Sequence, residues 1–238
     1  MTKGFTGRLS GVADDEQLRA AGQTDPGQWR ENNEDAFAIM AGRDIYIIAD
    51  GMGDHNAGEV AAAEAIKFFE DFFTEDLVDR LRREPHAIRD MMQLSFAQVS
   101  KRVYGKSQTD ASLLGMGCTL VVALLNGSTL HACHAGDARC YVTSASIIEQ
   151  IGRDHSYVWD LVRLDKLTPE EARTHYMKNI VTQVIGQRSP IESEYETREL
   201  RPGERILMCS DGLWDMLPDE EIQAVMSGES LLEPPAAS

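Results

Sequence analysis

The sequence has few cysteines and lacks any long apolar run. Its four cysteines, among 238 residues, form no C-x-x-C pair, which excludes a zinc knuckle and gives no disulfide framework. We therefore predict that all four are small buried thiols. The longest apolar stretches, 45–49 and 120–125, fall far short of the roughly 20 residues that a membrane-spanning helix needs. The N-terminal residues lack the apolar centre of a signal peptide, so we predict a cytoplasmic protein.

Positive charge is also scarce. Twenty-three Lys and Arg residues stand against 39 Asp and Glu residues, which gives a formal net charge of −16. Such a surplus works against binding a polyanion over a broad surface. We therefore expect no nucleic-acid partner, and the useful question is whether the surplus carboxylates gather where a cation could bind them.

The hydrophobic pattern predicts one domain over residues 1–238, of α+β class. Strand-like and helical segments do not alternate regularly, which favours antiparallel sheets with helices packed outside them. The order argues against a βαβ repeat. Residues 1–23 could form an edge strand or a loose arm, and the choice between these stays open. Residues 154–190 are predicted as a helical insert, and 229–238 as a disordered tail. The predicted strands are 45–50, 118–125, 128–135, 138–144, 146–151 and 205–209, and the predicted helices are 58–73, one after Pro85 and one from Pro218.

Four acidic segments fall at predicted turns or strand ends. Each one alone is typical of a tight turn. Aspartates that project together from one edge of a sheet would repel one another unless cations neutralised them. Oxygen-only ligands favour Mg²⁺ or Mn²⁺ over zinc. The segments are Glu34-Asp35, Asp50-Gly51, Gly136-Asp137 and Asp211-Gly212.

Arg30 lies four positions before Glu34, and its spacing allows two interpretations. It could form an exposed ion pair with Glu34, which would contribute well under about 1 kcal/mol. It could also grip a phosphate through two oxygens beside a metal centre. The spacing does not choose between them.

Five motifs in a fixed order resemble the compact bacterial branch of the metal-dependent type 2C Ser/Thr protein phosphatases. They run from about Thr24 to Leu217 and read WRENNEDA, ADGMGDHNAGEVA, GDAR, RDHS and CSDGLWD. The resemblance implies a four-layer sandwich of two antiparallel sheets flanked by helices, with a two-metal centre at one end. It implies Mn²⁺ or Mg²⁺ as cofactor. The implied reaction is hydrolysis of phosphoserine and phosphothreonine by a water or hydroxide that bridges the two ions.

The resemblance also assigns roles to residues of this chain. Asp50 would bridge both metals, and the Gly51 carbonyl would bind one of them. Asp35 matches the position of the first motif that holds either an acidic metal ligand or a residue that supports one. Glu34 lies next to it and is assigned to the same role. The remaining matches are Asp211 as a metal ligand, Arg30 as the phosphate-binding arginine, and Asp137 as the ligand of a weaker third metal. The implied partner is a phosphorylated Ser/Thr protein, the target of a cognate kinase, and the enzyme would be a monomer.

The sequence departs from the family's pattern in two places that matter. Family members end with an Asp-Asn pair whose aspartate binds the same metal as Asp211, and this pair is absent. One explanation is that the chain is truncated, with a C-terminal strand missing. Another is that two protein carboxylates and more water hold that metal. A third is that another acid, such as Asp215, takes the missing place. Met52 stands where eukaryotic members carry a histidine proposed as general acid, and His55 is more typical of a solvent-facing turn residue.

Other chemically reactive side chains are assigned to structure rather than to the site. His131 and Cys133 would share one face of a strand while His134 points to the other. We therefore interpret all three as ordinary strand residues. Phe37 and Trp214 are predicted to lie in the core.

Two alternatives to the enzyme remain open. A metal-poor pseudophosphatase would bind a phosphorylated partner or a regulator without turnover, and the absent Asp-Asn pair motivates this hypothesis. A two-metal nuclease shares the carboxylate chemistry but lacks the basic surface that a nucleic-acid substrate requires. The sequence favours the phosphatase.

Overall fold

A computed structural model describes residues 3–8, 17–28, 32–53, 57–187 and 190–228 of the chain. Within these residues there are ten β-strands and seven α-helices. The strands are β1 (Lys3–Arg8), β2 (Gln17–Gly22), β3 (Asp35–Met40), β4 (Ile45–Met52), β5 (Gly117–Asn126), β6 (Thr129–Ala135), β7 (Arg139–Thr143), β8 (Ile148–Ile151), β9 (Glu194–Glu199) and β10 (Arg205–Cys209). The helices are α1 (Ala57–Phe72), α2 (Glu75–Arg83), α3 (Ile88–Ser107), α4 (Tyr157–Arg163), α5 (Pro169–Thr174), α6 (Asp211–Trp214) and α7 (Asp219–Ser227).

Two antiparallel sheets form the body of the molecule, which confirms the predicted α+β class. The larger sheet has the strand order β3-β4-β5-β6-β9, and the smaller has the order β10-β7-β8. A separate hairpin pairs β1 with β2, in the region for which an edge strand and a loose arm were both left open. The connection at 136–138 carries the chain from β6 in the larger sheet to β7 in the smaller one.

The core has two parts, one on each face of the larger sheet. Alternate side chains of a strand point to opposite faces, and β5 is buried almost along its whole length. Leu120 and Val122 pack with α1 and α3, whereas Val121 and Ala123 pack between the two sheets. The four cysteines are free and buried, as predicted.

Helices cover the outer faces of both sheets. On α1, Ala61, Ala65 and Phe69 recur every four residues and are fully buried, which is the spacing of one helical face. The Phe69 ring contacts the Phe96 ring of α3 edge-on, with centroids 5.8 Å apart. On the other side, α7 buries Ile222 and lies against the smaller sheet. The layers are therefore helix, sheet, sheet, helix.

The structure corrects several predicted elements. Helix α2 and strands β3 and β9 were not predicted. Asp50 does not end its strand, because β4 continues to Met52. Residues 154–190 contain only two short helices, of seven and six residues, within the part the structure describes. The second of these begins with the predicted capping box, in which Thr168 and Glu171 bond each other's backbone.

Strand ends from both sheets meet at one end of the sandwich. Asp35 begins β3 and lies opposite Asp50 on β4. Asp211 follows β10, and Arg139, two residues after Asp137, pairs with Cys209 at the end of β10. Among the described helices, none is both long and apolar enough to cross a membrane. The predicted tail, 229–238, lies outside the described residues.

Candidate metal centre

Four aspartates from four separate segments form what we call the carboxylate cluster: Asp35, Asp50, Asp137 and Asp211. Burial raises the pKa of Asp50 to about 9, and the carboxylates of Asp35, Asp211 and Asp137 act in the same direction. The Asp50 carboxyl is also hydrogen-bonded to that of Asp35. Such a group of closely spaced, partly or fully buried acids is stable without a cation only if some of them hold protons.

Two neighbours orient Asp35. The Ser210 hydroxyl donates to Asp35 Oδ2 over 2.7 Å, and the Asp35 backbone N–H donates to Asn33 Oδ1 over 3.0 Å. Ser210 immediately precedes Asp211, so one hydrogen bond joins the first predicted motif to the last. This contact spans 175 residues of sequence.

Glu34 and Gly51 lie beside the cluster at a point where three backbone segments touch. The Gly51 N–H donates to the Glu34 carbonyl over 3.1 Å. A Cβ atom on Gly51 would overlap the backbone of Gly58, and one on Gly58 would lie 2.5 Å from Glu34 Oε1. Glycine is therefore required at both positions. The Glu34 carboxylate lies beside the first turn of α1, where the helix dipole favours negative charge.

Asp137 lies in the connection between the sheets. Burial raises its pKa to about 7, and the carboxylates of Asp154 and Asp211 add to this effect. The indole Nε1–H of Trp214 donates to the Asp137 carbonyl over 3.0 Å. Trp214 is only half-buried, so its prediction as a core residue is wrong: it supports the cluster from α6.

Asp154 and Arg139 are supporting residues to which the sequence analysis gave no role. Arg139 Nε lies 2.9 Å from Asp154 Oδ1, and its Nη2 lies 2.6 Å from Oδ2. Both side chains are buried. Trp159 of α4 donates to Asp154 Oδ2 over 3.1 Å. Arg139 and Asp154 lie in two of the family motifs, GDAR and RDHS. Their place in these motifs is the sequence signal that could have identified them as functional residues.

Three other candidates need a separate account. Arg30, the predicted phosphate-binding residue, and His55 lie outside the described residues. Asp215 forms a 2.5 Å ion pair with Lys178, so its carboxylate has a partner away from the cluster. The structure therefore brings together Asp35, Asp50, Asp137 and Asp211, and it sets Glu34 and Gly51 next to them.

The donor set suits hard divalent cations. It consists of carboxylate oxygens, which Mg²⁺ and Mn²⁺ prefer. The mutual repulsion that raises the pKa of Asp50 is the repulsion that a bound cation would remove. On both grounds, the residues fit the metal centre that the sequence predicted.

Comparison with known proteins places the chain among bacterial phosphatases. Residues 28–236 match the family described as Protein phosphatase 2C. The chain is 31% identical over 218 residues to "Serine/threonine phosphatase stp" of Listeria monocytogenes serotype 4b (strain F2365), covering 90% of this chain and 85% of the relative. It is 34% identical over 210 residues to "Protein phosphatase PhpP" of Streptococcus pneumoniae serotype 2 (strain D39), covering 87% of this chain and 83% of the relative.

Solved structures agree with these relatives. Serine/threonine phosphatase Stp1 from Staphylococcus aureus superposes with a TM-score of 0.80 at 31% identity, over 97% of this chain and 84% of the other. The catalytic domain of the serine/threonine protein phosphatase PstP, in complex with two manganese ions, superposes with a TM-score of 0.67 at 27% identity, over 95% and 87% of the two chains.

Proposed function

The chain belongs to the protein phosphatase 2C family, and from this premise we propose that its carboxylate cluster is the two-metal centre of the enzyme. Its relatives carry the names of phosphatases, and the chain is a metal-dependent protein serine/threonine phosphatase. These names favour the enzyme over a pseudophosphatase. The substrates are phosphoproteins.

The observation that carries the proposal is the convergence of four aspartates from distant segments at one end of the sandwich, with Asp137 buried and the other three half-buried. The carboxylates of Asp35, Asp211 and Asp137 all add to the effect of burial in raising the pKa of Asp50. We therefore propose that Asp50 would be the ligand that both ions share, and that Asp35 and Asp211 would be further ligands. Asp137 is assigned to a weaker third ion, and the Gly51 carbonyl and Glu34 complete the set.

Divalent ions held by these carboxylates would neutralise the phosphoryl oxygens and acidify a water molecule for attack on phosphorus. The chain's own residues position the ligands. Ser210 holds Asp35 by its hydroxyl, and Trp214 holds the backbone at Asp137. Arg30 is proposed to grip the phosphate of the substrate through its guanidinium.

We further propose Mn²⁺ or Mg²⁺ as the ions, and the target of a cognate kinase as the substrate. The acidic net charge of −16 disfavours diffuse phosphate binding. Substrate affinity would then be concentrated at Arg30 and the metal centre. The enzyme would act as a monomer of 26.4 kDa, which light scattering measures directly.

The test is phosphatase activity on p-nitrophenyl phosphate and on a phosphothreonine peptide, with Mn²⁺ and then with EDTA. Activity should require the metal. Asp50→Asn should lower kcat by several orders of magnitude, since one carboxylate is assigned to both ions. The matched control is Asp76→Asn on α2, where the side chain is exposed, and it should retain full activity. Full turnover in EDTA, or in Asp50→Asn, would refute the assignment.

A further inference from the structure

A second group of potential metal ligands lies away from the carboxylate cluster. It consists of His134 on β6, His155 just before α4, and Glu194 at the start of β9, and we call it the His-Glu cluster. One ligand atom from each of the three lies within 4.8 Å of the other two. From the sequence, His134 is predicted to be an ordinary strand residue, because it points to the opposite face of its strand from His131 and Cys133.

The spacing of the ligand atoms is too long for hydrogen bonds and suits an ion between them. Glu194 Oε2 lies 3.8 Å from His134 Nε2 and 3.7 Å from His155 Nε2. Ligand atoms at about 2.0–2.1 Å from a tetrahedral ion are roughly 3.4 Å apart. The two imidazole rings are nearly parallel, with centroids 4.8 Å apart. A small closure of the cluster would therefore bring three ligands to bonding distance.

The site is also accessible from outside. The His134 side chain is 8% exposed and that of His155 19%, whereas that of Glu194 is 34% exposed. An ion could enter past the carboxylate and meet the buried imidazole of His134 and the half-buried imidazole of His155. The carbonyl oxygen of Arg153, 2.7 Å from His134 Nε2, also lies beside the His-Glu cluster.

We propose that His134, His155 and Glu194 bind a single Zn²⁺ ion. Two imidazoles and one glutamate form a ligand set that zinc uses in proteins, with a further position open to water. Zn²⁺ binds nitrogen ligands more tightly than Mn²⁺ does, and Mg²⁺ prefers oxygen. The chain would thus sort two kinds of metal, with oxygen-only ligands at the carboxylate cluster and nitrogen-rich ligands here.

Zinc binding would compete with hydrogen bonds in the metal-free chain. His134 Nε2 pairs with the Arg153 carbonyl, and that pairing would give way to the ion. His155 Nδ1 accepts a hydrogen bond from the Gly136 N–H over 3.3 Å. If Nε2 of a neutral His155 binds zinc, the proton lies on Nδ1, which can then no longer accept this bond.

This competition links the zinc site to the catalytic centre, a consequence that rests on the proposed function. Gly136 immediately precedes Asp137, and the His155 backbone N–H also donates to the Gly136 carbonyl over 2.9 Å. Loss of the hydrogen bond at His155 Nδ1 would remove one of the two hydrogen bonds that His155 forms with Gly136. Zinc at the His-Glu cluster should therefore inhibit the phosphatase rather than replace its catalytic ions.

The binding test is a calorimetric Zn²⁺ titration of the full chain in excess Mg²⁺, which keeps the carboxylate cluster filled. One Zn²⁺ per chain is expected. Loss of supporting residues alone weakens metal sites 10- to 100-fold, so removal of a ligand in Glu194→Gln should weaken binding by at least about 10-fold. His155→Gln should have the same effect. The control is His86→Gln, at an exposed histidine remote from the cluster, and it should bind zinc like the unmodified chain.

Unchanged zinc affinity in Glu194→Gln would overturn the proposal, and this variant alters a partly exposed side chain if His155→Gln fails to fold. X-ray absorption of the zinc-loaded protein gives a second readout. Imidazole scattering is expected, whereas a shell of oxygen ligands only would also overturn the site. Neither measurement depends on phosphatase activity, so the site can be judged even if the proposed function fails.

The inhibition is tested by adding Zn²⁺ to the enzyme in saturating Mn²⁺, with each variant compared with its own zinc-free activity. The zinc concentration for half-inhibition should rise at least about 10-fold in Glu194→Gln, in parallel with the loss of affinity. Equal inhibition of the unmodified chain and the variant would assign the inhibition to the catalytic ions and refute the link through Gly136.

Discussion

The guanidinium of Arg139 lies over the indole ring of Trp214, with its Cζ atom 3.6 Å from the ring centroid. The same guanidinium forms a two-point ion pair with Asp154. Through Trp214 it supports the Asp137 carbonyl, and through Asp154 it contacts Trp159 of α4. Arg139 therefore links the backbone at Asp137 to Asp154 and α4, although it is not a member of the carboxylate cluster.

Arg139→Lys should lower both stability and activity. Lysine keeps the charge but cannot form the planar two-point pair or stack on the indole. We expect the free energy of unfolding to fall by about 2 kcal/mol, the value of one lost hydrogen bond to a charged group. Displacement of the Asp137 turn should reduce kcat by about 10- to 100-fold. Urea denaturation and steady-state kinetics measure the two effects, and a variant with unchanged kcat would refute this positioning role.

Asp50→Asn should separate metal binding from folding. The pKa of Asp50 is raised to about 9 by burial and its neighbouring carboxylates, so the metal-free chain holds this acid neutral at pH 7, and a neutral amide replaces it without new charge. Stability in EDTA should therefore stay within about 1 kcal/mol of the unmodified protein, below the cost of leaving a buried group unpaired.

The same variant should respond weakly to metal. A ligand at 100 times its Kd stabilises a protein by about 2.7 kcal/mol, and the unmodified chain should show a rise in Tm with Mn²⁺. Asp50→Asn should lose most of that rise. An equal rise in both proteins would show that Asp50 is not a shared ligand.

Arg30→Ala tests the proposed grip on phosphate. Removal of the guanidinium should chiefly raise KM for small phosphate esters while kcat changes little, because the nucleophile does not depend on this side chain. Steady-state kinetics with p-nitrophenyl phosphate measure both constants. A large fall in kcat at constant KM would instead mean that Arg30 acts mainly in the transition state.

The carboxylate cluster could be predicted because its members lie in short motifs at strand ends, where a turn and an acid coincide. Asp50 and Asp211 each follow an apolar run in the sequence, and that pattern is local. The contacts that orient the cluster are not local. Ser210 reaches Asp35 across 175 residues, and Trp214 reaches Asp137 across 77. No periodicity of the chain encodes such pairings.

The missed elements have physical reasons of the same kind. Strand β9 reads EYETRE and is polar, so it lacks an apolar run, and its pairing with β6 stabilises it as an edge strand. Helix α2 carried a readable signal, since Thr74 caps it and acids precede arginines along it. Its nine residues bury only Val78 and Leu81, which leaves a weak apolar stripe.

A partly exposed ion-pair network between α1 and α3 gives a prediction about pH and stability. Arg102 and Lys106 each lie 2.5 Å from a carboxylate oxygen of Glu64. Burial opposes ionisation of Glu64, but the hydrogen bonds and charges of Lys106 and Arg102 outweigh it and lower its pKa from 4.5. A carboxyl with a lowered pKa in the folded state stabilises the fold above its unfolded pKa. That contribution is lost as the pH falls through the folded value.

Glu64→Gln should therefore destabilise the protein by about 1 kcal/mol at pH 7, a modest value because both cations are partly exposed. The difference between the two proteins should shrink as the pH falls below 4.5, since protonation then removes the same charge from the unmodified chain. Glu70→Gln on the exposed side of α1 is the matched control and should change stability little at any pH. Urea denaturation at a series of pH values measures all three proteins. A Glu64→Gln deficit that persists undiminished in acid would show that the amide disturbs packing, and that the ion pairs with Arg102 and Lys106 do not stabilise the contact between the helices.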